Sequence, residues 1–348
     1  MKNLGNKKRN IIIISIIIIL VIIGGICAAV LKPSKSNETK KPTEVPKEVP
    51  IKKLQIVDEN STSRPYAVMI NNINVARPLQ SGLQDAYIIY EIIVEGGITR
   101  YMALFMDQNT TRIGSIRSAR HYFLDYALEN DAIYVHHGQS PQAQSDFTNL
   151  GVDRIVVDNS KTGWRDKSLH VSSEHTLFTS IEKLNNGLGN KRTTRKNSLL
   201  LNYSVDEIEM DKINNSQKAT NVTIKYSSSI VTSYVYDENN HYYLRSVNGV
   251  NHTDYVTKNQ YHFKNIITYK VNNYTLNDGE NKGRQNIENV GSGTGYYISD
   301  GYSIPIKWVK ESRKSQTKYY YENGVELKVN DGNTFIQIQP SGQELTIS

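Results

Sequence analysis

Residues 11–31 read IIIISIIIILVIIGGICAAVL, an uncharged run in which Ser15 is the one polar side chain. About 20 apolar residues cross a bilayer core as a helix, so the run predicts a transmembrane or signal-anchor segment behind a short tail, residues 1–10. The pattern then inverts. Residues 32–60 are rich in Pro, Lys, Glu and Thr, with few large apolar groups before Ile51. Such a segment reads as an extended linker holding the rest of the chain away from the membrane. From 61 to 205, apolar and β-branched stretches alternate with helical spacing. Tyr66–Asn71, Tyr87–Val94, Tyr101–Met106 and Ile133–Val135 predict strands, and Tyr122–Ala127, with Leu124 and Leu128 four apart, predicts a helix. Ser140 before Pro141 predicts the cap and first position of a second helix, Pro141–Leu150. Beyond about 218 the chain turns to short Val/Ile/Tyr/Thr runs divided by Asn248-Gly249, Asp278-Gly279, Asp300-Gly301, Asn323-Gly324 and Asp331-Gly332. These dipeptides supply the positive φ angles of tight hairpins, so 206–348 predicts a β-rich domain, a sandwich or partly open barrel. The expected class is α+β: a mixed α/β N-terminal domain, 61–205, and a β-rich C-terminal domain, 206–348, behind one N-terminal transmembrane helix. The basic run Lys191–Lys196 between them reads as a solvated linker.

Charge refines this picture. The net charge of +7 over 348 residues is concentrated at the start: residues 1–60 hold 11 of the 41 Lys+Arg and 5 of the 34 Asp+Glu, leaving 30 basic against 29 acidic. A nearly neutral body lacks the footprint of nucleic-acid binding, and no nucleic-acid partner is expected. The positive-inside count ties, since Lys2, Lys7, Lys8 and Arg9 face Lys32, Lys35, Lys40 and Lys41 across the run. A long C-terminal body behind a short basic tail is the usual exported arrangement, so the body is expected outside the membrane, the tail within. The single cysteine, Cys27, lies in the anchor, where a lipoprotein would be acylated. Bulky Ile26 fits the preceding position badly, which favours an uncleaved helix over lipidation.

Three constellations carry candidate chemistry. Arg112-Ile-Gly-Ser-Ile-Arg117-Ser118-Ala-Arg120-His121 places arginines and hydroxyls ahead of the first predicted helix, donors suited to a phosphate or carboxylate. Glu91 and Glu95, four apart on a predicted strand, would share a face. They would serve either as acid and base or as partners of Arg100 and Arg117. His136 and His137 are adjacent on a strand, hence on opposite faces, and with His170 and His175 do not form a ligand set, so no metal is expected. Gly-x-Ser-x-Gly, Ser-x-x-Lys, His-Glu-x-x-His and nucleotide-binding glycine patterns are absent, and no cofactor is expected.

Longer motifs add a resemblance. Arg-Pro-Tyr-Ala-Val-Met-Ile-Asn-Asn at 64–72, Ala-Arg-Pro-Leu-Gln-Ser-Gly-Leu at 76–83, Tyr-Glu at 90–91 and Glu-Gly-Gly-Ile-Thr-Arg-Tyr-Met-Ala-Leu-Phe at 95–105 resemble the YerB-like lipoprotein family, DUF3048. Gly-Ser-Ile-Arg-Ser-Ala-Arg at 114–120 and Tyr-Val-His-His-Gly-Gln-Ser-Pro at 134–141 are similar to its further motifs. So are Ser233–Tyr236, Tyr243–Arg245, Gly291–Gly295 and Ile306–Trp308. The resemblance implies an extracytoplasmic protein with an N-terminal and a C-terminal family domain, and it supplies no activity. The chain departs from the family at the poor lipobox before Cys27, and at Glu174-His175-Thr176, where only the histidine matches. Three functional readings are consistent with these residues. The first is a cell-envelope binding protein that grips an anionic wall or lipid-linked ligand through Arg100, Arg117, Ser118 and Arg120, with Glu91, Glu95 and His136 around them. The second is an envelope enzyme acting on wall polymers through Glu91 or Glu95 with His136. The third is a β-rich module that docks an envelope partner.

Overall fold

The run Tyr87–Val94 has no polar phase except Glu91, and a strand with so few solvent-facing positions belongs in the middle of a sheet covered on both sides. In the structure, a computed structural model that describes residues 52–348, this run forms β2 (Ile88–Ile93), with all six residues buried. The expected tail, membrane segment, Cys27 and most of the linker lie outside the described residues. β2 pairs antiparallel with β3 (Thr99–Phe105), which pairs antiparallel with β1 (Tyr66–Asn71). The other neighbour of β2 is Thr334–Pro340, parallel and in register from Ile88↔Thr334 to Ile92↔Ile338. Strand by strand, the 11-stranded sheet runs Gln217–Lys218, Tyr302–Lys310, Gly291–Ser299, Asn265–Val271, Thr334–Pro340, β2, β3, β1, Ile133–His136 and Arg154–Val156, with Lys318–Tyr321 added to Tyr302–Lys310.

The two faces of β2 have different covers. Tyr90 donates from its hydroxyl to Glu129 at 2.7 Å, on the helix His121–Glu129, which packs beside the helix Pro141–Asn149. Glu91 faces the opposite way, toward a six-stranded sheet ordered Val250–Asn251, Tyr242–Val247, Val231–Asp237, Asn221–Lys225 and Leu345–Ile347, with His262–Phe263 paired to Tyr242–Val247. The molecule is therefore strand-rich with mixed sheets and, among the described residues, three α-helices.

Several expectations change. Segments 61–205 and 206–348 are one body sharing the large sheet, because Thr334–Pro340 supplies the only neighbour that β2 has on that side. The C-terminal half is not a separate sandwich or barrel: its hairpins divide among the shared sheet, the smaller one and a two-stranded ribbon of Asn273–Thr275 with Gln285–Ile287. Not every turn signal makes the tight hairpin expected of it: Asp331-Gly332 joins two strands that do not pair with each other, and Asp278-Gly279 lies within the longer loop between Asn273–Thr275 and Gln285–Ile287. Two do form tight hairpins. Asp300-Gly301, with φ of 48° and 75°, joins Gly291–Ser299 to Tyr302–Lys310, and Asn248-Gly249, with φ of 52° and 76°, joins Tyr242–Val247 to Val250–Asn251. The linker stops short of residue 60. Asp331 accepts the backbone N–H of Gln55 at 2.7 Å and of Ile56 at 3.0 Å, and Val57 is buried in the core. The basic run at 191–196 is also tied down. Thr193 accepts the Arg64 N–H at 2.7 Å, Arg195 donates its N–H to Thr62 at 2.6 Å, and Arg192 pairs with Asp131.

Candidate functional site

The segment carrying the arginines threads between the end of β1 and the loop after Ile133–His136. The Arg117 N–H donates to Met69 O at 2.9 Å, and Arg117 O accepts from the His137 N–H at 3.1 Å. Ala119 donates to Gly138 O at 2.9 Å, and Ser140 donates to Ala119 O at 3.2 Å. Gly138 permits this closeness: its φ is 76°, and a Cβ there would stand 3.0 Å from Ser118 Oγ. Just beyond, Ser140 Oγ accepts from the Ala143 N–H and Pro141 opens the helix, as the spacing predicts.

Glu95 does not continue β2. The strand ends at Ile93, and Glu95 begins the turn Glu95–Gly97, so the expected common face of Glu91 and Glu95 does not exist. The positive φ of Gly96 and Gly97 turns the chain there. Glu95 receives Arg120 as a two-pronged fork, with Nη2 at 2.9 Å from Oε2 and Nε on Oε1. Arg100 reaches the same carboxylate less closely, Nη2 to Oε2 3.7 Å, and donates Nη1 to Ser118 O at 2.7 Å. Burial, then the charge of neighbouring Arg120, lowers the Arg100 pKa to about 9. For Glu95, burial works to raise the pKa, but the hydrogen bonds and charge of Arg120, then Arg100, hold it below the ordinary carboxylate value. Arg117 turns outward and pairs with Glu174 at 2.7 Å, not with Glu91 or Glu95. The structure thus brings together Arg100, Ser118, Arg120 and Glu95, with Arg117 at the rim.

Glu91 and His136 stand apart from that group. Glu91 is enclosed and pairs with Arg245 Nη2 at 2.8 Å, while Thr99 Oγ1 donates to it at 2.7 Å and Thr232 Oγ1 at 3.3 Å. His136 Nδ1 donates to Gly138 O at 2.8 Å, its ring stacks on Phe147 at 4.9 Å, and Nε2 is buried without a partner. Burial lowers its pKa to about 4, so the ring is neutral. Neither group faces an open cleft with Glu95, and an acid–base constellation of the three is not formed.

Three features escape the sequence reading. Arg245, the partner of Glu91, had a signal: it falls in phase with Tyr243 and Val247 on the alternating strand Tyr242–Val247, where only an inward position remains. Lys310, on Glu129 at 2.8 Å and equally buried, has none, because its partner is 181 residues away. Glu207, His241 and Asp300 place ligand-type atoms within 4.8 Å of one another. There Lys264 supplies the positive charge itself, bonding both carboxylates.

Comparison with known proteins agrees with the motifs. Residues 54–194 match the family described as "Protein of unknown function (DUF3048) N-terminal domain", and 222–336 match its C-terminal domain. The chain is 30% identical over 305 residues to "Putative lipoprotein YerB" of Bacillus subtilis, covering 86% of this chain and 88% of that one. A crystal structure of Bacillus subtilis YerB superposes with a TM-score of 0.69 at 28% identity, over 82% of this chain and 94% of that one. With both family segments present in order, and their strands joined in one sheet, the chain belongs to the YerB-like DUF3048 family.

Proposed function

We propose that the protein is held on the membrane through residues 11–31, with its body outside the cytoplasm, and that it recognises an anionic wall or lipid-linked ligand at Arg117, Ser118 and Arg120, with Arg100 behind them. The apolar run and the relative's lipoprotein name support the anchoring, whether as an uncleaved helix or through Cys27. One observation carries the ligand reading: Arg100 and Arg120 share the single carboxylate of Glu95, so the group holds more guanidinium charge than it neutralises. An oxyanion offers two more acceptors to guanidinium forks, and each charge-assisted bond is worth about 1.5–3 kcal/mol. The enzymatic alternative has less support, since Glu91 and His136 are enclosed on separate partners.

The test is calorimetric titration of the full chain in detergent with inorganic phosphate and poly(glycerol phosphate), at low and high salt. Binding is expected for the polyanion, weakening with salt, about tenfold or more weaker in Arg120→Ala, and tighter in Glu95→Gln, which frees Arg120 from its internal partner. No polyanion binding by the parent, or Glu95→Gln behaving as the parent does, overturns the reading.

A further inference from the structure

The motif Ala76–Leu83 plays no part in the site above, yet it builds a pocket of its own. Arg77, Pro78 and Leu79 form a short turn that crosses the mouth between the end of β1 and the hairpin at Asn248-Gly249. Gln80 anchors that turn: its side-chain amide donates to Asn71 O, and its oxygen meets His252 Nε2. His252 accepts from Arg245 Nη1 at Nδ1, 2.6 Å away, which fixes the ring as neutral with its proton on Nε2. Burial, then Arg245, then Arg77, drives its pKa well below normal, in keeping with that tautomer.

Arg77 itself is clamped by two bonds, Nε to Asn72 Oδ1 at 2.9 Å and Nη2 to Asn72 O at 3.0 Å. These hold the guanidinium plane, and among the described residues no hydrogen bond uses Nη1. Among the described residues Arg77 forms no ion pair, and its side-chain bonds go to Asn72. It lines a cavity of about 350 Å³ whose wall contains no carboxylate. A held guanidinium without a counter-charge, in a pocket of ligand-binding size, is an acceptor-seeking group. The rest of the wall limits what the acceptor is attached to. Among the described residues the Asn74 side chain, the Asn251 side-chain nitrogen and the Thr253 hydroxyl have no hydrogen-bond partner, whereas Asn248 is spent on Val231 N–H and Ser229 O. Pro78 and Val250 give the pocket an apolar side, and Val250 is 69% exposed.

We propose that this pocket binds the C-terminal carboxylate of a short peptide ending in a small apolar residue. The carboxylate takes the Arg77 fork. The Asn74 amide, the Asn251 side-chain nitrogen and the Thr253 hydroxyl pair with the peptide's own amides, which both donate and accept. The terminal side chain lies on Pro78 and Val250. A single cation matches a single negative charge, which favours a carboxylate over a phosphate dianion. This site is distinct from the Arg117–Arg120 rim, and its test does not depend on it.

The experiment titrates the full chain in detergent with acetyl-Ala-Ala, with acetyl-Ala-Ala amide and with inorganic phosphate, following saturation transfer to the ligand by NMR and heat by calorimetry. Saturable binding of the acid is expected, at least tenfold weaker for the amide and for Arg77→Met, partly kept in Arg77→Lys, and unchanged in Arg120→Ala. Val250→Asp should weaken the acid without disturbing folding, because the side chain is exposed. Equal binding of acid and amide, phosphate binding as tightly as the acid, or no binding of the acid each overturns the proposal. If Arg77→Met lowers the melting temperature while binding persists, Arg77 is a brace for Asn72 and the proposal also falls.

Discussion

Glu91 and Glu95 are four residues apart, both meet arginines, and they do opposite things. Glu91 lies between two sheets with Arg245, both side chains wholly buried, inside a shell of Thr99, Thr232, Asn72 and the hydroxyl of Tyr234, which accepts from Arg245. Aromatic faces of Tyr101 and Phe335 complete the enclosure of the guanidinium. The pair links β2 in the first family segment to Tyr242–Val247 in the second, so it acts as an internal clamp. Glu95 sits in a glycine turn past the strand end, with Arg120 and Arg100 on one carboxylate and Arg117 at the rim on Glu174. The same two functional groups give a closed one-to-one pair where the sheets cover them and, where the strand stops, a largely covered cluster with one carboxylate for two guanidinium groups. Burial and stoichiometry separate the two cases: one carboxylate per guanidinium inside, fewer than one outside.

The largest expected effect breaks the inner pair. Arg245→Met leaves the Glu91 carboxylate buried without its cation, and unfolding in urea should show a loss of about 3–5 kcal/mol. The double change Glu91→Leu with Arg245→Met should recover much of it, since a buried pair contributes less than the cost of orphaning one partner. A loss under about 1 kcal/mol for Arg245→Met, the range of exposed pairs, would remove the clamp from the comparison.

A smaller effect tests how closed the helix side of the large sheet is. His136 is neutral in the folded chain with its pKa lowered to about 4 by burial, against 6.5 ordinarily. The unfolded chain therefore takes up a proton first as pH falls below 6.5, and stability present at neutral pH is lost down to about pH 4. The shift corresponds to roughly 3 kcal/mol at most. Denaturation curves at pH 7 and pH 4.5 should show a drop that His136→Phe reduces, and an equal drop in both proteins would place His136 in solvent.

The smallest effect sharpens the outer end. Arg117 and Glu174 form a pair whose glutamate is 54% exposed, and such pairs contribute about 0–1 kcal/mol. Glu174→Ala should leave the melting temperature within a degree or two while freeing Arg117. A loss comparable to that of Arg245→Met would make the rim as structural as the clamp.

Local elements are legible because local physics sets them. The apolar phase of Tyr66–Asn71 and the Ser140-Pro141 signal place a strand and a capped helix. Asn248-Gly249 and Asp300-Gly301 place hairpins by their need for positive φ. The arginines of 100–120 are also legible as a group, since chain proximity brings three of them to one strand end. Partner choice is not legible. The sequence offers Arg117 and Arg100 to Glu91 as readily as to Glu95, and only the end of β2 at Ile93 sends the two carboxylates to different layers. By itself the sequence determined the apolar run at 11–31, the family, the tight turns at Asn248-Gly249 and Asp300-Gly301, and the near-neutral charge of everything after residue 60. Tertiary structure alone decided that Thr334–Pro340 enters the sheet beside β2, that Glu91 finds Arg245 at a separation of 154 residues, and that Arg77 is held by Asn72 with no carboxylate among the described residues. The physical reason is reach: turn and helix signals act over three or four residues. Which charges are buried together depends on strand order, which non-local burial of apolar faces selects.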